Sequence, residues 1–490
     1  MTVSAPMTVC QELGRFAAGL SLAEVPERVA QRARLQTAAV LAAGRAGESA
    51  AAPFAAHAPD GPVGEVYAGA AASIAHDWDD YLFMGHTGHS SVWTAGAFAP
   101  DDPARALVAQ IAGNEVAGRL GAALFFGPHN GQFWASIHCG GAATAAAVAL
   151  GLDEERIAHA LAIALYQPPY GLFPGFMGPD TKLLTAADPA AQGARAALLA
   201  ADGVRGALDI IESPRGLLSH FAFVRRPRML GALGKVWLTD TLAFKPLPGC
   251  AYIQAAVDAV LRAEIAADEV ASIEVDSGFL TVSMEQLAPP EGLTPAGINF
   301  STARSIAVAL IAGRLTHEEL DREWLAEHRA QVDELAGRVT VRHDWELTLD
   351  TLRGTVDAGA STGDVSPGAW LRIARRARQL GMVDVLDLGE LGTLLRDSGS
   401  RREIGRLAGR RGRGGIADLD TDAMRLSFPC RVRIRLSSGR TLEIEGEQRG
   451  SCGRPVAEQR AVVEEKCRLV GLSEGLANLD TDLSRLAGSR

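Results

Sequence analysis

The sequence predicts an α+β chain in two parts, a nearly all-α first half followed by a mixed second half. Two observations predict this class and a third bounds it. Apolar residues recur at helical spacing from residue 9 to about residue 202. Near residue 236 the pattern changes, and Ile273-Glu274-Val275-Asp276 and Val339-Thr340-Val341-Arg342 alternate with period two, as half-buried strands do. The chain has 490 residues, 47% hydrophobic and 22% charged, which is a globular balance with room for two or three domains of roughly 100–200 residues.

Element by element, residues 9–45 read as helices, with Leu13, Phe16, Ala17 and Leu20 on one face. The segment 63–100 is richer in Gly, His and Asp and holds the first chemical cluster. Pro103 to Leu124 is an apolar helix ended by Gly127-Pro128. A small-residue helix runs from about Gln132 to Leu150, where Gly and Ala permit close packing. Asp153 to Leu165 is amphipathic and begins with three acidic residues, as the helix dipole favours. The loop 167–180 is rich in proline, and residues 188–202 form one more Ala-rich helix. In the second half, helices at about 251–264 and 303–313 lie between the strands. Val432 to Leu436 and Thr441 to Ile444 make a hairpin about the turn Ser437-Ser438-Gly439. Residues 355–428 are rich in Gly and Arg, including Arg410-Arg411-Gly412-Arg413, and part of this stretch reads as an insertion or mobile loop. The tail, about 456–488, returns to a helical pattern.

The net charge of −10 argues against nucleic acid or an anionic membrane as the main partner. No run of about 20 bulky apolar residues predicts a membrane span, and no signal peptide is read at the N-terminus. Six scattered cysteines without a CxxC pair read as reduced thiols in a cytoplasmic protein. Glycine-rich dinucleotide, Walker A and GxSxG motifs are absent, so hydride transfer, phosphoryl transfer and serine hydrolysis have no support. Proton-transfer chemistry without a cofactor remains.

Of the 48 basic residues 44 are arginine, and lysine occurs only at Lys182, Lys235, Lys245 and Lys466. A retained lysine suggests a need for a compact ammonium that Arg cannot supply. Lys182 and Lys245 sit beside Pro-rich loop sequence and suit carboxylate binding; Lys235 and Lys466 read as chance. The densest cluster is the run from His76 to Ser90, with His76, His86 and His89 and with Asp77, Asp79 and Asp80. Imidazoles beside carboxylates suit proton transfer near neutral pH. Its spacing matches no standard metal motif, so no metal is expected. His129, in Gly127-Pro128-His129-Asn130-Gly131, can point into a cleft, whereas His138 on an apolar helix reads as a satisfied core residue.

These pieces together resemble the MmgE/PrpD family: Asp77-Trp78-Asp79-Asp80 with His89-Ser90, then Gly118-Arg119-Leu120-Gly121, His129, Asp180-Thr181-Lys182 with Ala190-Ala191-Gln192-Gly193, and Lys245-Pro246 with Cys250. That family includes 2-methylcitrate dehydratase, cis-aconitate decarboxylase and iminodisuccinate epimerase. The resemblance implies an all-α domain from residues 1–243 and 451–490, with a smaller α+β lid domain inserted at 244–450. It further implies a homodimer that needs no metal or organic cofactor. Carried over residue by residue, the cleft Asp is Asp77, and the catalytic His is His89 with His86 a rival. The second His is His129, and the two lysines are Lys182 and Lys245. Tyr81 stands where the decarboxylase has Thr, and Arg304, after Phe300-Ser301, stands where it has a lid Tyr; both are candidate substrate contacts. The activity expected is a hydro-lyase acting on a small di- or tricarboxylate, with His89 or His86 oriented by Asp77. Epimerisation, decarboxylation and a non-catalytic ligand-binding role are the alternatives.

Overall fold

The protein is described from a computed structural model covering residues 6–127, 135–287, 293–363, 365–379, 381, 384, 386, 388–409 and 414–472. The N-terminal half is helical: α1 (Val9–Gly19), α2 (Glu27–Ala55), α3 (Pro62–Ile74), α4 (Gly88–Phe98), α5 (Pro103–Leu124), α6 (Ala135–Ala149), α7 (Glu154–Ala164), α8 (Leu184–Ala201) and the short α9 (Leu217–Phe221). Side chains set several starts. Thr8 and Gln11 form a capping box on α1, and Asp102 and Asp153 accept from the first turns of α5 and α7. The Ala- and Gly-rich α6 is buried along almost its whole length. With small residues along most of α6, α8 lies so close that a Cβ at Gly193 would run into the Cys139 carbonyl.

The second half carries α10 (Gln254–Arg262), α11 (Phe279–Leu287), α12 (Pro295–Ile298), α13 (Thr302–Ala312), α14 (Arg322–Ala336) and α15 (Trp345–Val356). Besides the two-residue strands β1 (Asp80–Tyr81) and β2 (Ala243–Phe244), it builds a four-stranded sheet from β3 (Val270–Ser277), β4 (Val339–His343), β5 (Cys430–Leu436) and β6 (Thr441–Gly446). The sheet order is β4-β3-β5-β6, with β4 parallel to β3 and the other neighbours antiparallel. Burial alternates strictly along β5. Its apolar face joins Ile273 and Val275 against Val257 and Val260 of α10 and Ile306 and Leu310 of α13. All four strands and the turn at Gly439, which has φ of +87°, agree with the sequence reading.

The last helix, α19 (Val456–Leu469), returns to the N-terminal layer. Its Val462, Val463 and Cys467 pack on Leu35, Ala38, Ala39 and Ala42 of α2, together with Leu242 and Phe244. Burying each valine contributes roughly 1.5–3 kcal/mol, enough to hold a terminal helix against a distant part of the chain.

Residues 63–100 are mostly helical, as α3 and α4, and the polar cluster lies in the turn between them and the first turn of α4. One expectation is corrected. The stretch 355–428 contains helices: α16 (Pro367–Gln379), α17 (Leu388–Arg396) and α18 (Ser398–Gly409). Here Val365 and Ala369 pack on Phe126, and the Trp370 ring meets the Phe126 ring edge-on at 5.4 Å. Arg226 ties the stretch down further by donating to the carbonyls of Ser361 and Gly414. An apolar face thus anchors a segment whose Gly and Arg content reads as loop. Arg410–Arg413 lie outside the described residues. No disulfide joins the six cysteines. Among the described residues no helix is long and apolar enough to cross a membrane.

Candidate active site

The turn from α3 to α4 brings the site together. Helix α3 stops at Ile74, and Asp77 adopts a left-handed φ of +49°, a costly conformation for a non-glycine residue. The chain then extends into β1, which pairs antiparallel with β2 in the register Asp80↔Phe244 and Tyr81↔Ala243. One step beyond that register, Lys245 reaches Asp79. Gly88 opens α4 where a Cβ would collide with the Asp80 carboxylate, and this close approach sets His89 into the first turn beneath the cluster.

Asp79 is the hub. Its Oδ1 accepts from Lys245 Nζ at 2.5 Å, and its Oδ2 lies 2.7 Å from His86 Nδ1 and 3.0 Å from His89 Nε2. Asp77 pairs instead with Lys182, Oδ2 to Nζ 2.9 Å. The sequence reading gave Asp77 the task of orienting the histidine; the carboxylate in contact with His86 and His89 is Asp79. The left-handed turn at Asp77 separates the two carboxylates, sending one to Lys182 and the other to the imidazoles. Both ammonium groups also donate to backbone, Lys182 to the Ile74 carbonyl at 2.8 Å and Lys245 to the Asp77 carbonyl at 2.7 Å. An ammonium has three donors, so each lysine keeps one N–H beyond these two bonds.

Five of these side chains, Asp77, Asp79, His89, Lys182 and Lys245, are fully enclosed, whereas the His86 side chain is 20% exposed. His86 is therefore the member of the cluster that meets solvent. Its Nδ1 also lies 2.9 Å from the Asp80 carbonyl. Two acceptors at Nδ1 fix a proton there. His89 is held at both ring nitrogens, by Asp79 and by Ser73 Oγ at 2.8 Å.

Burial and charge compete over the carboxyls. Burial alone would raise Asp79, but Lys245, His86 and His89 outweigh it and hold the group well below the usual carboxylate range. Asp80 is pushed up, by burial and by the neighbouring Asp79. Burial opposes the charge on Lys245, yet Asp79 and Asp77 raise it overall. The ammonium and the carboxylate of that pair are thus both kept ionised. Burial, helped by the positive charges near it, lowers His76 to about 4.

Segments from the second half close over the cluster. Gly249 donates to the His76 carbonyl, Cys250 N–H to the Asn299 carbonyl, and Asn299 Nδ2 to the Ala75 carbonyl at 3.4 Å. Cys250 Sγ lies 3.6 Å from Asp77 Oδ2, and the Phe300 ring sits 5.6 Å from Lys182 Nζ. Burial raises the Cys250 thiol and the Tyr252 phenol well above their ordinary values, so both stay neutral.

The other candidates fall as follows. Tyr81 turns its hydroxyl to Gln448 Oε1 at 3.0 Å and sets its ring 5.9 Å from that of His86. His138 is buried with its ring 5.9 Å from that of His89. Arg304 lies half-buried in the first turn of α13, its backbone N–H capped by Ser301 Oγ. His129 lies outside the described residues. Lys466, read from sequence as chance, is fully buried and donates to the Trp78 carbonyl. Among the described residues no group of three or more His, Cys, Asp and Glu is disposed to hold a metal ion.

Residues 62–228 match the MmgE/PrpD N-terminal domain, and residues 247–359 match the MmgE/PrpD C-terminal domain. Together the matches span more than half of the chain. The protein belongs to the MmgE/PrpD family. No individual curated protein matches it. The N-terminal match contains Asp77, Asp79, His86, His89 and Lys182, and the C-terminal match begins two residues after Lys245. This MmgE/PrpD protein therefore carries most of its buried charge cluster inside the family's own domains.

Proposed function

We propose that this protein is a cofactor-independent hydro-lyase that removes water from a small di- or tricarboxylate. In this reading the spare N–H groups of Lys182 and Lys245 take carboxylate oxygens of the substrate. His86, oriented through Nδ1 by Asp79, removes a proton from the carbon next to a carboxylate with Nε2. The electron pair left on carbon delocalises into that carboxylate as an enediolate, next to the two ammonium groups. It then forms the double bond as the C–O bond to the β-hydroxyl breaks, and the leaving oxygen takes a proton to depart as water. That acid is assigned to His129 on the family resemblance alone.

The observation that carries the reading is the Asp79–His86 pair, whose imidazole is partly exposed, set beside two buried ammonium groups. General acid–base catalysis supplies about 10²–10⁴-fold. Hydrogen-bond donors fixed where the enediolate forms supply much of the rest, because a closed site needs no reorganisation of water. The Asp77–Lys182 and Asp79–Lys245 pairs bring no net charge, so the third donors act as hydrogen bonds of known direction and not as a diffuse positive field.

Incubation in deuterated buffer with citrate, 2-methylcitrate, cis-aconitate and iminodisuccinate, followed by proton NMR, tests the proposal. The hydro-lyase reading expects an alkene signal from a hydroxy acid. Deuterium uptake at an α-carbon with no alkene replaces it by an epimerase, and loss of a carboxylate by a decarboxylase. No turnover of hydroxy acids of this class, with binding retained, makes the protein a ligand-binding member.

A further inference from the structure

Three of the chain's four lysines converge on one short piece of backbone, the turn that carries Asp77 and Asp79. Lys182 donates to the Ile74 carbonyl, Lys245 to the Asp77 carbonyl and Lys466 to the Trp78 carbonyl. In a chain with 44 arginines, that placement is the strongest regularity of its lysine usage. The first two also meet the carboxylates of the site. Lys466 comes from α19, nearly four hundred residues along the chain, and its amine also lies over the Trp78 ring at 5.4 Å.

We propose that Lys466 is a positioning residue of the active site, holding the peptide plane between Trp78 and Asp79 so that the Asp79 carboxylate stays aimed at His86. The inference rests on the reading of Asp79 and His86 given above. A peptide unit is rigid, so fixing the Trp78 carbonyl also fixes the Asp79 nitrogen and narrows the rotation that aims Asp79. Lys245 does the same one plane earlier, at the Asp77 carbonyl. The turn needs such restraint because Asp77 is held in a left-handed conformation that its neighbours must enforce. A compact amine on a flexible stem can enter the space between α2, α19 and the turn, where a planar guanidinium would need more donors satisfied. Burial pulls this amine down to about 7, against Asp79 and Asp80, which raise it. Protonated or neutral, it still has an N–H to donate to the carbonyl.

The test compares Lys466→Met and Lys466→Gln with Lys235→Met, which alters an exposed lysine. Met keeps the apolar stem without a donor, and Gln is polar but one bond too short to reach the carbonyl. The primary readout is proton NMR of histidine-labelled protein. It follows the downfield proton shared by His86 Nδ1 and Asp79, assigned by its loss in His86→Gln. The proposal expects a folded Lys466→Met protein in which this resonance broadens or moves, while Lys235→Met leaves it in place. If the Met variant does not fold, Lys466→Gln is read in the same way. On a substrate that the wild type turns over, kcat should fall about 10- to 100-fold with KM nearly unchanged, the size of loss expected from a misaimed catalytic pair. A folded variant with the His86 resonance unmoved overturns the proposal, because Lys466 would then only stabilise α19. Failure of the wild type to act on any polycarboxylate removes the hydro-lyase reading instead, and the resonance still decides the role of Lys466.

Discussion

Replacing Asp79 by Asn changes one oxygen to an NH₂ group and removes one negative charge from a sealed site. Three donors converge on the wild-type carboxylate, from Lys245, His86 and His89. The amide has one acceptor oxygen, and its NH₂ must face at least one of those donors. If the oxygen stays on Lys245, the NH₂ meets His86 Nδ1, and the ring must move its proton to Nε2 to avoid two donors in contact. The ring then carries its proton on Nε2, and the base of the proposed reaction is lost. A wrong-tautomer histidine costs about 10⁴ in kcat where a triad has been cut in this way, so a loss of about 10³–10⁴ is expected here. Lys245 is also left buried without its counter-ion, a defect worth about 3–5 kcal/mol. Turnover by proton NMR and thermal melting by circular dichroism measure the two effects separately. Asp77→Asn is the comparison, since Asp77 pairs with Lys182 and touches neither imidazole; it should spare the tautomer and cost less in kcat. An Asp79→Asn protein that keeps more than a tenth of wild-type turnover would refute the assignment of the hub.

The two histidines should separate in the same assay. His86→Gln is expected to lose about 10²–10⁴-fold in kcat with little change in melting, while His89→Gln, which empties a closed site, should chiefly lower stability; equal kcat losses would contradict this division. Lys182→Met or Lys245→Met removes one charge-assisted bond to a substrate carboxylate, worth about 1.5–3 kcal/mol, so the Kd for a tricarboxylate by calorimetry should rise about 10- to 100-fold. An unchanged Kd in both variants would place the substrate elsewhere. His76 takes up its proton at about 4 in the folded chain and near 6.5 when unfolded. The unfolded state therefore binds more protons between those values, and stability falls as pH drops through that window, by about 3 kcal/mol at most. Comparing denaturant unfolding at pH 7 and pH 4.5, His76→Gln should show a smaller drop than wild type; an equal drop assigns the acid sensitivity to other groups.

Much of this architecture is legible in sequence because it is written in long periods. Helix α5 spans the residues its apolar pattern delimits, and the hairpin of β5 and β6 is marked by strict alternation about Gly439. Scarcity of lysine singles out Lys182 and Lys245 from sequence alone. The role of Asp79 was not legible, because it depends on a two-residue strand whose pairing with Ala243–Phe244 carries Lys245 across 166 residues. No local pattern records so short a strand, and three acidic residues within four positions give no sign of which one meets the histidines. Lys466 was missed for a similar reason, since its partner is a backbone carbonyl in a distant turn. The stretch 355–428 misled because Gly and Arg dominate its composition, while the few residues that anchor it, Val365, Ala369 and Trp370, find their partner only at Phe126.

The central claim is that the spare N–H groups of Lys182 and Lys245 face the same substrate whose α-carbon meets His86 Nε2. A crystal structure with a tricarboxylate bound tests it most directly. The account predicts carboxylate oxygens within hydrogen-bond distance of both Nζ atoms and a proton-bearing carbon against the His86 ring edge. A tricarboxylate bound elsewhere, with the Asp77–Lys182 and Asp79–Lys245 pairs still sealed from it, would contradict the account.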